Sequence, residues 1–423
     1  MSARADFVLR GIGRLLTMDG PAGPRKGTLA GSIGAIEGAA LVCSGGKVVW
    51  AGPESLLEKN CLIDDDTLVE EAGGALVTPG FVDSHTHPLF GKTRQEEFAM
   101  RAAGADYEEI AAAGGGILNS VAATRAASTD AIRANLQRHL GNMLASGTTT
   151  IEAKSGYGLD LETELRCLAI AGEEAEVSPV TIVPTFMGAH AVPVEYRGDP
   201  DGYIDYLIET VNPAVKQQGI ARFVDIFCEK GAFTPEQSAR YLAASSRQGF
   251  ELRVHADEFH DTGGARVAFD AGARSADHLL SISPGNIAGI AGSGTVATLL
   301  PGTALFLNKP FPPGRKLLDA GAAVAIATDF NPGSCFCDSM PLIVSLAVCQ
   351  CGFTVEEALV SATVNGAAAL GLQGVKGGLA PGCDADIVVW DCDDHRTIPY
   401  HLGNPDVKVV YCAGERVYST NHG

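Results

Sequence analysis

Short apolar, β-branched runs alternate with longer stretches of helical period along most of the chain. Eight such runs follow one another: Leu76 to Asp83, Thr148 to Ala153, Val180 to Phe186, Phe223 to Cys228, Glu251 to Ala256, Ala273 to Asp277, Thr295 to Leu300 and Ala323 to Thr328. Helical patterns occupy Leu161 to Glu176, Asp201 to Gln218, Pro235 to Gln248 and Val355 to Leu370. Strands alternating with helices build a parallel sheet, and eight such units predict a closed α/β fold, a (β/α)8 TIM-type barrel. An open doubly wound sheet is the competing architecture, but no Gly-x-Gly-x-x-Gly follows a strand to favour it.

The two ends of the chain have a different pattern. Ala40 to Ala51 forms two strands around a Ser-Gly-Gly turn, and Asp386 to Trp390 and Val407 to Cys412 are strand-like runs bounded by Gly or Asp. Both termini are therefore assigned to one small β-sandwich accessory domain, residues 1–75 and 373–423, flanking a barrel over residues 76–372.

Composition narrows the function. With 423 residues, 46% hydrophobic and 19% charged, the chain suits a packed barrel with an accessory domain and not a disordered one. A net charge of −19 argues against nucleic acid or an anionic membrane as partner, and it requires any anionic substrate to meet its own local Arg or Lys. The N-terminus opens no long apolar segment and no apolar run approaches the ~18 residues of a membrane span, so a cytoplasmic protein is expected. Eleven irregularly spaced cysteines fit reduced thiols. Cys335-x-Cys337 and Cys349-x-Cys351 are too closely spaced for the usual zinc pair, and the role of that stretch is left open.

The chemistry centres on His85-Thr86-His87, at the end of the first run. Side chains at i and i+2 of a strand share a face, so both imidazoles can hold one metal ion; taken alone, the pair fits a packed core equally well. On a barrel of this kind, active sites gather at the C-terminal ends of the strands. His255 lies at the end of the fifth run, next to its last residue, His278 directly follows the sixth, and Asp329 follows the eighth. Four imidazoles and a carboxylate on one rim suit zinc or ferrous iron with a position left for water.

His85-x-His87, a later barrel histidine, Asp329 and the C-terminal string from Gly377 to Trp390 resemble the amidohydrolase superfamily of metal-dependent hydrolases. Members with two metals bridge them by a carboxylated lysine from strand four. Here that strand ends Phe227-Cys228-Glu229, with Lys230 one residue beyond and Lys154 after strand two, which points to one divalent metal per chain, Zn or Fe. Within the superfamily, Arg94, Ala113-Gly114-Gly115-Gly116-Ile117, the string Lys154 to Glu164, Gly188 to Pro193 and Asp329 to Gly333 resemble the imidazolonepropionase family of histidine degradation, from about residue 76 onward. Ser334 to Pro341 departs from that family's common bacterial pattern and is closer to its animal-type branch.

The resemblance implies hydrolysis of the ring amide of 4-imidazolone-5-propanoate to N-formimidoyl-L-glutamate, by a homodimer acting on this small molecule. It implies His85, His87, His255 and Asp329 as metal ligands, and Glu258, His278 and Asp329 as catalytic groups. Arg94, Tyr157, His190, Glu258, Asn331, Gly333 and Ser334 would contact substrate. Arg94 offers a fork for the propionate, or else sits on a surface helix. Glu258 relays a proton to the leaving nitrogen or holds the ring N–H, and His278 stabilises the oxyanion. Gly114 to Gly116 is a backbone contact or a hinge; no Lys-Ser/Thr follows it to make a phosphate loop. The alternatives are a mononuclear aminoheterocycle deaminase, which shares His-x-x-Glu after strand five, and an inactive interaction protein, against which the intact ligand set argues.

Overall fold

A computed structural model describes residues 3–104, 109, 115–404 and 406–420. Of the Ala113–Ile117 run, Ala113 and Gly114 lie outside the described residues. Eight parallel strands form one sheet in sequence order: β1 (Phe81–Asp83), β2 (Thr148–Lys154), β3 (Thr181–Ala189), β4 (Phe223–Cys228), β5 (Glu251–Ala256), β6 (Ser275–His278), β7 (Val296–Leu299) and β8 (Val324–Ile326). Helices follow the strands and cover the outside, as the alternation requires. The barrel closes beyond the ends of β1 and β8. There Asp329 N–H donates to the His85 carbonyl at 3.0 Å and His87 N–H to the Phe330 carbonyl at 2.8 Å. The buried Asp83 carboxylate reinforces the seam by accepting from Thr328 N–H and Oγ1–H at 3.0 and 2.6 Å.

The first apolar run is not one strand. Leu76–Pro79 belongs to the terminal sheet, pairing with Ile387–Trp390 and Phe7–Leu16, and only Phe81–Asp83 enters the barrel. Gly80 makes the hand-over: its amide reaches the Asp386 carbonyl at 3.0 Å, and a Cβ there would lie 2.1 Å from Thr149 Oγ1. The terminal sheet runs Glu415–Ser419, Val407–Cys412, Ile387–Trp390, Leu76–Pro79, Phe7–Leu16, Ala35–Ser44, Lys47–Pro53, with Leu68–Glu71 also paired to Phe7–Leu16. Both termini thus supply it, and it carries a core of its own around Leu9, Leu41, Val77 and Ile387. Phe7–Leu16 has no counterpart in the sequence reading, because Arg10, Gly11, Gly13 and Arg14 break its apolar pattern.

Two predicted helices are interrupted for local reasons. Asp201 to Gln218 becomes Pro200–Tyr206, a π turn over Leu207–Val211, and Asn212–Gln218. Pro213 has no N–H to continue the ladder, and the wider turn absorbs the loss. Val355 to Leu370 becomes Val355–Ser361 and Val364–Ala369, where Thr363 Oγ1 donates to the Leu359 carbonyl at 2.6 Å and leaves helical backbone. Among the described residues, no helix is long and apolar enough to cross a membrane.

Candidate metal centre and active site

The strand registers place His255 beside Asp277 and Ala256 beside His278, so β5 and β6 deliver both histidines to one rim. β1 leads into His85 and His87, and the seam hydrogen bonds hold Asp329 against them. The backbone is strained where it turns into the site: His278 has φ 79° and Asp329 φ 53°. Left-handed φ is costly for residues with a Cβ and persists where surrounding structure enforces it.

Three ring nitrogens meet at the floor of the site. His87 Nε2 lies 3.3 Å from His85 Nε2 and 3.2 Å from His255 Nε2. Asp329 Oδ1 lies 3.6 Å from both His85 Nε2 and His87 Nε2. The opposite nitrogens of two rings face carboxylates: His85 Nδ1 is 2.8 Å from Asp277 Oδ2, and His255 Nδ1 is 3.1 Å from Asp225 Oδ2. A carboxylate only accepts, so the hydrogen bond at His85 holds the proton on Nδ1 and aims its Nε2 lone pair inward. Lone pairs at this separation repel unless a cation sits among them. Nitrogens about 2.1 Å from one tetrahedral ion lie about 3.4 Å apart, so the spacing fits a divalent metal. His85, His255 and His278 form a second overlapping group of donors, which sets His278 at the edge of the same centre.

A buried charge network supports this floor. Lys154 Nζ lies 2.7 Å from both Glu152 Oε2 and Asp225 Oδ2. Arg253 bridges Glu152 and Asp277 at 3.0 and 2.9 Å. All five side chains are fully buried. Burial of an unpaired charge is prohibitive, and here each charge meets one of opposite sign. The sequence reading passed over Asp225, Asp277, Glu152 and Arg253. Their signal was charge inside otherwise apolar strands at two-residue spacing, as in Arg253 and His255 or Glu152 and Lys154.

Every nominated site residue except His85 lines one cavity of about 1030 Å³ above the floor, and His85 lies buried beneath it. Burial, then the neighbouring imidazoles, hold His87 and His278 well below the usual histidine range, so both rings are neutral. His190 is lowered to about 3 by burial and His255. It stacks on His87 at 5.0 Å between ring centres and donates Nδ1–H to the Gly156 carbonyl at 3.0 Å. Burial raises Asp329 to about 6, against the hydroxyl of Thr303, which donates to Oδ2. Glu258 is pushed well above the carboxylate range by burial and by the charges of Asp329 and Glu229, and its Oε2 lies 3.6 Å from His278 Nε2. Burial also raises the Tyr157 phenol.

Arg94 lines the same cavity, but its fork is not empty. Nε and Nη2 donate to the two oxygens of Glu97 at 3.0 and 2.6 Å, leaving Nη1 against Gly333. Asn331 and Ser334 line the cavity while serving their own loop. Asn331 Oδ1 accepts from the amides of Gly333 and Ser334 at 2.8 and 2.7 Å, and Nδ2 donates to Ser334 Oγ at 2.8 Å.

Comparison with known proteins agrees with this architecture. The model of the amidohydrolase family matches residues 76–417. An imidazolonepropionase of Symbiobacterium thermophilum is 46% identical over 415 residues, covering 97% of each chain. One from Bacillus velezensis is 43% identical over 420 residues, covering 99% of this chain and 98% of the relative. Among solved structures, a zinc-bound adenosine deaminase from Xanthomonas campestris superposes with a TM-score of 0.71 at 16% identity, over 98% of this chain and 93% of that one, a likeness of fold. Near-full-length identity at this level, on a barrel whose rim gathers three imidazoles and Asp329, shows that the chain belongs to the imidazolonepropionase family of the amidohydrolases.

Proposed function

We propose that this chain hydrolyses the ring amide of 4-imidazolone-5-propanoate to N-formimidoyl-L-glutamate. The observation that carries the reading is one cavity with converging lone pairs of His85, His87 and His255 at its floor and the Arg94 guanidinium in its wall. That layout matches a ligand with a reactive ring at one end and a carboxylate at the other. His85, His87, His255 and Asp329 hold one divalent ion, zinc or iron. Bound there, the ion supplies Lewis acidity that makes water a nucleophile near neutral pH.

The remaining work falls to side chains. Asp329, whose Oδ2 is oriented by the Thr303 hydroxyl, is the carboxylate placed to take the proton water gives up on attack. His278, neutral and placed by β6, donates an N–H to the carbonyl oxygen as negative charge develops on it. Glu258, whose carboxyl is pushed up by burial and by the charges of Asp329 and Glu229, gives a proton to the ring nitrogen that departs. Tyr157 and His190 stack along the imidazolone ring, and the amides of the Asn331–Ser334 turn approach the propionate beside Arg94.

Eleven free thiols suit a reducing compartment, and we assign the enzyme to the cytoplasm, as a homodimer without nucleic-acid or membrane partners. The test of function follows loss of the imidazolone chromophore with purified protein, before and after chelation and with zinc or iron restored. Turnover that vanishes on chelation and returns with one equivalent of metal supports the reading. Ammonia release from aminopurines without imidazolone turnover would replace it with a deaminase.

A further inference from the structure

The cavity wall around Arg94 contains more positive charge than Arg94 accounts for. Arg94 caps the helix Gln95–Ala102, and Glu97 and Arg101 lie one and two turns further along the same face. Glu97 is fully engaged. Its Oε1 accepts from Arg94 Nε and from Asn119 Nδ2 at 3.3 Å, and its Oε2 accepts from Arg94 Nη2 and from Gly116 N–H at 3.2 Å. Arg94 and Glu97 therefore form a neutral pair locked in place by a helix and a loop.

Among the described residues, Arg101 is the cation beside this pair that keeps a buried donor free. It lines the same cavity, and its Nη1 is buried with no hydrogen-bond partner. Its guanidinium carbon sits 5.7 Å from the centre of the Phe306 ring, which fixes the side chain without neutralising it. Burial and the charge of Arg94 both work against its cationic form, as expected where two guanidinium groups adjoin with one carboxylate between them. A buried donor without an acceptor costs free energy unless a ligand completes it. Lys230 and Lys309 also line the cavity, but both are exposed and solvated, so neither replaces a buried donor.

Resting on the function proposed above, we infer that Arg101 is a specificity-determining residue that supplies the unpaired positive charge for the substrate's carboxylate, while Arg94 acts as a preset, Glu97-neutralised hydrogen-bond donor beside it. Propionate bound there meets one net charge from Arg101 and a directed N–H from Arg94 Nη1. A ligand with a neutral amide in place of the carboxylate can use the second contact and gains little from the first.

The experiment compares the wild type with Arg101→Met, which keeps the stem over Phe306 and removes the guanidinium, and with Arg101→Lys, which keeps the charge. Inhibition by imidazole-4-propanoate and by its primary amide is measured for each, together with kcat and KM on the imidazolone propionate. For R101M, KM and the propanoate inhibition constant should rise at least about tenfold, the span of a lost charge-assisted contact, with kcat nearly unchanged. The amide's constant should not move, and R101K should recover part of the loss. Equal weakening of both inhibitors, or no change in either, overturns the inference. Should R101M fold poorly, R101K alone decides, because its charge is retained: a loss as large on the amide as on the propanoate overturns it. Failure of the functional reading looks different, since the wild type itself would then not turn over the imidazolone or would not prefer the propanoate.

Discussion

His85 Nδ1 lies 2.8 Å from Asp277 Oδ2, a contact between fully buried side chains 192 positions apart. It fixes which nitrogen of His85 carries the proton, and so whether Nε2 offers a lone pair to a metal. Asp277→Asn can present its N–H to Nδ1 and favour the wrong tautomer. Metal affinity measured by chelator competition should fall about 10–100-fold, as loss of such partners does elsewhere. An unchanged affinity in a folded variant would show that His85 is oriented by packing alone.

Glu258 and His278 should prove separable from metal binding. Glu258→Gln keeps the shape and removes the transferable proton, so kcat should drop about 10²–10⁴-fold while metal content stays at the wild-type level. His278→Ala should do the same. A variant that loses its metal instead would place that residue among the ligands.

Gly333 and Arg94 are packed so closely that a Cβ on Gly333 would come within 2.0 Å of Arg94 Nη1. Gly333→Ala should therefore displace Arg94 and raise KM for the propionate substrate, with a smaller effect on kcat. Arg94→Lys, which loses the two-pronged hold on Glu97, should restore binding only partly relative to Arg94→Ala. Normal KM in Gly333→Ala would mean that Arg94 does not reach the ligand.

Asp338 ties the loop beyond β8 to the helix Thr129–Ala145. Its Oδ2 lies 3.0 Å from His139 Nδ1 and accepts from Asn142 Nδ2 at 2.9 Å. Against the upward push of burial, these partners hold its carboxyl below the usual range. A depressed folded pKa means that the unfolded chain binds more protons in this range, so the contribution is complete above about pH 4 and is lost as pH falls through the folded pKa. Asp338→Asn should lower the thermal midpoint at pH 7, and the difference from wild type should shrink as pH drops below about 4. A difference that stays constant with pH would assign the effect to packing.

The sequence by itself determined the alternation of strands and helices and the pairing of His85 with His87, because both follow from side-chain periodicity along a few residues. β4 and β5 fall on the predicted runs from end to end, since their apolar patterns are complete within the strand. His255, His278 and Asp329 were legible as rim residues once the barrel was assumed, for strand ends converge on one face. Arg94 was legible as a cation near the first histidines, while its saturation by Glu97 depends on the placement of Asn119 and Gly116.

What only the tertiary structure decided involves partners distant in sequence. The split of Leu76–Asp83 at Gly80 turns on contacts with Thr149 and Asp386, neither of which alters the local apolar pattern. The carboxylates behind His85 and His255 come from β6 and β4, and charge inside a strand says nothing of its neighbour until the sheet closes and fixes the register. Barrel closure brings the Asp329 amide to the His85 carbonyl and the Phe330 carbonyl to the His87 amide. Periodicity is a property of consecutive residues, whereas the metal site is a property of how the two ends of the barrel meet.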